Sequence, residues 1–167
     1  MSICKTILSL NVRGLCDLQK RQEKFRWLKQ NHNGSECIIF LQEAHSVEND
    51  CKIWQHDWGS EIFNSHGSSN SRGVAILLPL NYTFNIINTT TSSDGRKIVM
   101  NIELDGTEYC LMNVYAPTQD MEKDQLLFIN DLVNNIESNL ENKLIIGSDF
   151  NLPLTFARRD SNALLHF

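Results

Sequence analysis

The sequence predicts a soluble α/β domain, on three observations. Short apolar runs bounded by turn residues, typical of buried strands, recur along the 167 residues. Between them lie segments with apolar residues at helical spacing. The apolar fraction of 41% and the charged fraction of 21% are those of a globular protein. Because a chain of this length supports one core, we expect a single domain over residues 1–167.

The first part of the sequence alternates strands with helices. In the first helix, Leu18, Phe25 and Leu28 recur at helical spacing, and Asn33-Gly34 supplies an end signal. The segment CIIFLQE is an apolar run of the kind found in strands buried on both faces. In order, the predicted elements are a strand at 5–13, a helix at 17–31, a strand at 37–43, a short helix at 47–56, a strand at 61–66 and a loop at 66–73. This order predicts a βαβ beginning.

The middle of the sequence changes character. Four apolar segments follow one another with only turn residues between them, which predicts an antiparallel meander. Asp105-Gly106 is the strongest hairpin signal among these turns. The segments are VAILLPL (74–80), YTFNIINTT (82–90), RKIVMNIEL (96–104) and TEYCLMNVYA (107–116).

The last predicted elements are a helix over 121–140 and a strand over 143–151. Asp120 is a candidate helix cap, and the helical spacing is carried by Ile129, Leu132, Val133, Ile136 and Leu140. The strand KLIIGSDFN ends in polar residues, and strand alternation points Asp149 and Asn151 to one face and Phe150 to the other.

Polar side chains stand at the ends of several predicted strands. They are Asn11, Glu43, Tyr115, Asp149 and Asn151. Because ligands in α/β proteins bind at the carboxyl ends of strands, we expect these side chains to converge. Carboxylate and amide oxygens suit Mg²⁺, which retains waters that a phosphate can replace. The sequence therefore indicates phosphoryl transfer to water.

Each of these residues also has an ordinary structural interpretation. Glu43 can be a solvated strand end, Asp149 and Asn151 can be turn formers, and Tyr115 can be a core residue with its hydroxyl at the rim. The net charge of −5 provides no overall positive field to attract nucleic acid, although bound divalent cations would change the field locally.

Five motifs together resemble the endonuclease/exonuclease/phosphatase superfamily. The resemblance is greatest to the apurinic-type endonuclease domains of LINE-type (non-LTR) retrotransposons. In order, the motifs are LNVRGL (10–15), LQEAH (41–45), SRGVAILL (71–78), NVYAP (113–117) and IGSDFNLPL (146–154).

The resemblance implies a four-layer α/β/β/α sandwich of two mixed sheets, and Mg²⁺-dependent hydrolysis of phosphodiester bonds, with Mn²⁺ as an alternative metal. It matches Glu43 and Asn11 to metal-site residues and Tyr115 to a phosphate contact. Asp149 and Asn151 match the pair that positions the attacking water. The resemblance implies DNA as the substrate. We expect a monomer that does not enter a membrane. We expect it to be intracellular, or nuclear if it acts on genomic DNA.

One departure from the family pattern limits these expectations. The family has a later aspartate partnered to a histidine, but after Asn151 this sequence has only His166, in the context LLHF. We therefore expect the domain to lack the C-terminal part of its second sheet, with a risk of aggregation at uncovered strand edges. Two alternatives stay open: a non-catalytic nucleic-acid-binding or interaction remnant of the fold, and a lipid or inositol phosphatase.

Overall fold

The computed structural model of the chain describes residues 6–32, 36–80, 84–118 and 122–151. Every predicted strand and helix has a counterpart in it. In chain order the elements are β1 (Thr6–Asn11), α1 (Leu18–Asn31), β2 (Cys37–Gln42), a single 3₁₀ turn (Glu48–Asp50), α2 (Cys51–Trp58), β3 (Ile62–Ser65), β4 (Val74–Leu77), β5 (Asn85–Thr91), β6 (Lys97–Leu104), β7 (Thr107–Tyr115), α3 (Glu122–Glu137) and β8 (Lys143–Asp149).

The strands form two four-stranded mixed sheets. The first has the order β1-β2-β4-β3, with β1 and β2 parallel and the other pairs antiparallel. The second has the order β5-β6-β7-β8, in which β7 and β8 are parallel. The predicted meander is therefore correct for β5 to β7 but wrong for β4, which hydrogen-bonds to β2 and β3 in the first sheet. Both faces of β4 are buried, so it fits a central position there.

The two sheets pack face to face, and helices cover their outer faces. Apolar side chains of β2 and β4 meet those of β6 and β7 in a core between the sheets. A second core lies between the first sheet and helices α1 and α2, and a third between the second sheet and α3. This arrangement confirms the predicted four-layer α/β/β/α sandwich. The expectation that later strands are missing concerns sequence after residue 151, outside the described residues.

Helix α1 shows how its sequence sets its bounds. Its first turn is capped by Asp17, whose carboxylate accepts a hydrogen bond of 2.8 Å from the Lys20 amide. Phe25 and Leu28 are buried as predicted, but Leu18 is 54% exposed, and Arg21 is buried in an ion pair with Asp57 instead. The helix ends at Asn31, and the predicted end signal Asn33-Gly34 lies outside the described residues.

Helix α3 packs through a narrower apolar stripe than its sequence predicts. Leu132 is buried against the second sheet, with Phe128 and Ile136 beside it. The other predicted stripe residues, Ile129 and Val133, are 46% and 44% exposed. The helix ends at Glu137, so Leu140 lies beyond it, and the candidate cap Asp120 is outside the described residues. In the described part of the chain, no helix has both the length and the apolar character needed to span a bilayer.

Candidate active site

The five polar residues predicted at strand ends lie together at one edge of the sandwich. Asn11 is the last residue of β1, and Glu43 follows β2 directly, so the first sheet supplies both. Tyr115 ends β7 and Asp149 ends β8, so the second sheet supplies these two. Because β1 is parallel to β2, and β7 to β8, the carboxyl ends of each pair point the same way.

Hydrogen bonds join the side chains across the two sheets. The Asn11 amide Nδ2 donates to Glu43 Oε1 at 3.0 Å and to Asp149 Oδ2 at 2.7 Å. The Tyr115 hydroxyl donates to the same Glu43 Oε1 at 2.8 Å. Asn11 Oδ1 accepts from the amide of Arg13 at 3.1 Å, which fixes the orientation of its side chain. One amide therefore holds two carboxylates close together.

Asn151 reaches the site by a turn and not by strand alternation. The strand β8 ends at Asp149, and Asn151 has a left-handed backbone with φ of 50°. Asp149 Oδ1 accepts a hydrogen bond of 3.0 Å from the Asn151 amide, and Asn151 Nδ2 donates to the Ala116 carbonyl at 2.6 Å. The strand prediction for 150–151 is therefore wrong, because an aspartate followed two residues later by asparagine favours this turn. The turn keeps both side chains at the site.

Tyr115 is held as a neutral hydrogen-bond donor. Desolvation by burial is the largest cause that raises its pKa, and the bond to Glu43 raises the pKa further. The Arg96 guanidinium lies over its ring at 5.4 Å and donates to its carbonyl at 3.3 Å. These two contacts with Arg96 restrict the orientation of the phenol.

A buried amide pair beneath the site was not predicted. Gln42, next to Glu43, donates to Asn113 Oδ1 at 2.7 Å and to Ser9 Oγ at 3.0 Å. Asn113, on β7, donates in turn to the carbonyls of Leu41 and Ala75 at 2.9 and 2.8 Å. Gln42 and Asn113 are both almost fully buried. The one signal in the sequence was a polar residue inside the apolar run CLMNV.

Left-handed backbone conformations concentrate around the site. Of the non-glycine residues with positive φ in the described part of the chain, all but Asp105 lie in the segments that carry the site: Arg13, Glu43, His45, Arg72 and Asn151. Such conformations cost roughly 1–3 kcal/mol each and persist where surrounding contacts fix them. Glu43 itself has φ of 53°, so its side chain leaves β2 in a direction that an extended residue would not take.

The donor set at this edge fits a hard divalent cation. Mg²⁺ binds through one or two carboxylates and keeps several waters, and the site brings together the carboxylates of Glu43 and Asp149. No group of three or more histidine, cysteine or carboxylate side chains with ligand spacing occurs within residues 6–32, 36–80, 84–118 and 122–151. A metal there would therefore have few protein ligands, as magnesium sites commonly do. His166 lies outside the described residues.

Comparison with known proteins shows which proteins share sequence or fold with this chain. No family model matches the chain. The "Transposon TX1 uncharacterized 149 kDa protein" of Xenopus laevis is 30% identical over 158 residues, which are 94% of this chain but 12% of that protein. Among solved structures, humanized TDP2 of D. rerio matches with a TM-score of 0.67 and 17% identity, over 93% of this chain and 69% of its own.

An AP endonuclease of Archaeoglobus fulgidus matches with a TM-score of 0.56 and 21% identity, over 86% of this chain and 55% of its own. An endonuclease/exonuclease/phosphatase family protein of Bacteroides thetaiotaomicron matches with a TM-score of 0.60 and 14% identity, over 93% of this chain and 65% of its own. The chain has the fold of that family, as the five motifs predicted. It spans 12% of the transposon protein and little more than half of the archaeal enzyme.

Proposed function

We propose that the chain is a Mg²⁺-dependent nuclease that hydrolyses a phosphodiester bond of DNA, of the apurinic type and derived from a LINE-type retrotransposon. The observation that carries this proposal is the hydrogen bonding across the two sheets, in which Asn11 joins Glu43 to Asp149 and the Tyr115 hydroxyl donates directly to Glu43. The likeness to an AP endonuclease supports the reaction class, and the likeness to a transposon protein supports the origin. Mn²⁺ is the alternative metal.

Each side chain has a role that follows from its position. Glu43 and Asn11 would hold the metal site, with Asn11 orienting both carboxylates. A bound Mg²⁺ would supply positive charge to offset the charge that grows on the phosphate. Tyr115, kept neutral by its raised pKa, would turn its single hydroxyl proton from Glu43 to a phosphate oxygen when the substrate is bound.

Asp149 would orient the attacking water and accept its proton. The water oxygen forms the new bond to phosphorus, while the bond from phosphorus to the leaving sugar oxygen breaks and that oxygen takes a proton from solvent water. Asn151, held against Asp149 and Ala116, positions the same water and the phosphate. The proposed substrate is DNA. We propose that the chain acts as a monomer inside the cell, and in the nucleus if the DNA is genomic.

The proposal is tested by the nicking of supercoiled plasmid in Mg²⁺ and in EDTA. We expect nicking in Mg²⁺ alone, and we expect Glu43→Gln to lower its rate by about two to three orders of magnitude because it removes a charged group at the reacting phosphate. Glu48→Gln is the matched control, since Glu48 is an exposed carboxylate on the 3₁₀ turn. Equal nicking by Glu43→Gln and Glu48→Gln would contradict the proposal.

A second candidate is a DNA-binding module without turnover. The observation that favours it is the cleft beside Glu43 and Tyr115, because Arg72, Arg96 and Lys97 line it and can hold a phosphate backbone without cleaving it. Calorimetry distinguishes the two candidates. Heat of DNA binding without any nicking in Mg²⁺ or Mn²⁺ would establish the binding module in place of the nuclease.

A further inference from the structure

A cleft beside the active site contains more positive side chains than the proposed chemistry uses. Its volume is about 870 Å³, and it is lined by Glu43 and Tyr115 of the site together with Arg72, Arg96 and Lys97. None of these three cations was singled out as a site residue by its sequence pattern, although Arg72 belongs to the SRGVAILL motif. The cleft is therefore continuous with the site, and Asp94, Asp124 and Asp131 line it together with the three cations.

Two of these cations are already engaged within the protein. Arg96 lies 3.5 Å from Asp94 and also contacts Tyr115, and Lys97 is ion-paired with Asp131. The Arg72 side chain, in contrast, makes no hydrogen bond or ion pair with any residue that the structure describes. Arg72 is thus the cation of the cleft that is available to an external anion.

The backbone at Arg72 is locked to the segment that carries Glu43. The Arg72 carbonyl accepts from the His45 amide at 2.8 Å, and the Gly73 carbonyl accepts from the Ala44 amide at 2.8 Å. Gly73 in turn donates to the Gly95 carbonyl at 3.0 Å. Arg72 has φ of 59°, a conformation that these neighbours hold in place.

Close packing leaves this junction little freedom to move. A Cβ atom added at Gly67 would lie 2.4 Å from the Ser71 carbonyl oxygen, and one at Gly95 would lie 2.5 Å from the His66 carbonyl oxygen. Both contacts are with backbone, which cannot rotate away. Arg72 therefore projects from a rigid support whose distance from Glu43 is set by the fold.

We propose that Arg72 binds a second backbone phosphate of the substrate, next to the one that is cleaved. The inference rests on the proposed function and deepens it, because it names the residue that would hold the DNA strand at a phosphate beside the cleaved one. A guanidinium suits this role because its planar fork matches two phosphate oxygens at once. Asp124 also lines the cleft, and its negative charge makes the affinity for phosphate more dependent on Arg72.

The test is the binding of a short fluorescein-labelled DNA duplex in EDTA, followed by fluorescence anisotropy at several salt concentrations. Arg72→Ala should weaken binding about tenfold through loss of a charged hydrogen bond, and should lower the slope of log affinity against log salt by about one. Arg72→Lys should lie between Arg72→Ala and the unchanged chain, because it keeps the charge and loses the fork.

The matched control is Arg26→Ala, since Arg26 is an exposed arginine on α1. It should leave both the affinity and the salt slope unchanged. If Arg72→Ala binds as tightly as Arg26→Ala while the unchanged chain binds DNA, this inference fails and the proposed function stands. If the unchanged chain does not bind DNA in EDTA or in Mg²⁺, the proposed function fails and this inference fails with it.

Discussion

At the scale of single residues, Tyr115 shows how its surroundings fix the chemical state of one side chain. Its hydroxyl donates to Glu43 at 2.8 Å, and Arg96 lies over its ring. Burial is the main cause that raises its pKa, and a neighbouring carboxylate raises it further because a phenolate there would face a like charge. The neutral phenol is therefore the form available at any ordinary pH.

We predict that Tyr115 ionises above the range of an ordinary tyrosine. Because its pKa is raised in the folded state, this residue stabilises the fold fully below the unfolded pKa of about 10, and that contribution is lost as the pH rises through the folded pKa. An ultraviolet titration of the unchanged chain and of Tyr115→Phe measures the pH at which Tyr115 ionises. The absorbance change that Tyr115→Phe removes should lie above pH ~10. If the substitution instead removes a change centred near pH ~10, Tyr115 titrates as an ordinary tyrosine and the prediction is wrong.

At the scale of elements, Gly147 in β8 sets how closely the two sheets approach. A Cβ atom at this position would lie 2.0 Å from Cδ2 of Phe40, whose ring is fully buried on β2. The space that a side chain would fill is occupied by the opposite sheet. The glycine in the IGSDFN motif is thus a packing requirement, and it lies two residues before Asp149 on the same strand.

Gly147→Ala should lower the free energy of unfolding by about 1–3 kcal/mol, the usual cost of overpacking a core. Urea denaturation followed by circular dichroism measures it. The control is Gly106→Asn in the β6–β7 turn, where nothing lies within 4 Å and φ is 73°. Asparagine tolerates this conformation, so the control should change stability little. Equal effects of the two substitutions would show that Phe40 does not limit the approach of the sheets.

At the scale of the whole molecule, the site exists only because the two sheets are held in one relative position. The first sheet supplies Asn11 and Glu43, and the second supplies Tyr115 and Asp149. The buried bond from Gln42 to Asn113, of 2.7 Å, joins the sheets directly beneath these side chains. Apolar packing has little directional preference, so a buried polar contact of this kind selects one alignment.

We predict that Gln42 and Asn113 are energetically coupled. Asn113→Leu and Gln42→Met should each cost about 1–3 kcal/mol, because each leaves a buried amide without its partner. The double variant should cost less than the sum, with a coupling energy of about 0.5–3 kcal/mol in urea denaturation. Asn88→Leu, at an exposed position of β5, is the control. Additive costs would mean that the bond does not align the sheets.

The sequence by itself determined the order of the strands and helices and the five residues at the strand ends. Strand and helix periodicities are local, so burial on one face leaves a pattern within each segment. Composition and periodicity predicted only an α/β domain. The prediction of a four-layer sandwich came from the resemblance of the five motifs to a known family. Metal and substrate assignments for Glu43, Asn11, Tyr115, Asp149 and Asn151 stay predictions.

Only the tertiary structure decided which sheet β4 joins, how Asn151 reaches the site and which polar residues tie the sheets together. The same is true of the position of Arg72 beside Glu43. The physical reason is sequence separation. Asn11 and Asp149 are 138 positions apart, and Gln42 and Asn113 are 71 apart, so neither contact leaves a periodic trace in its own segment.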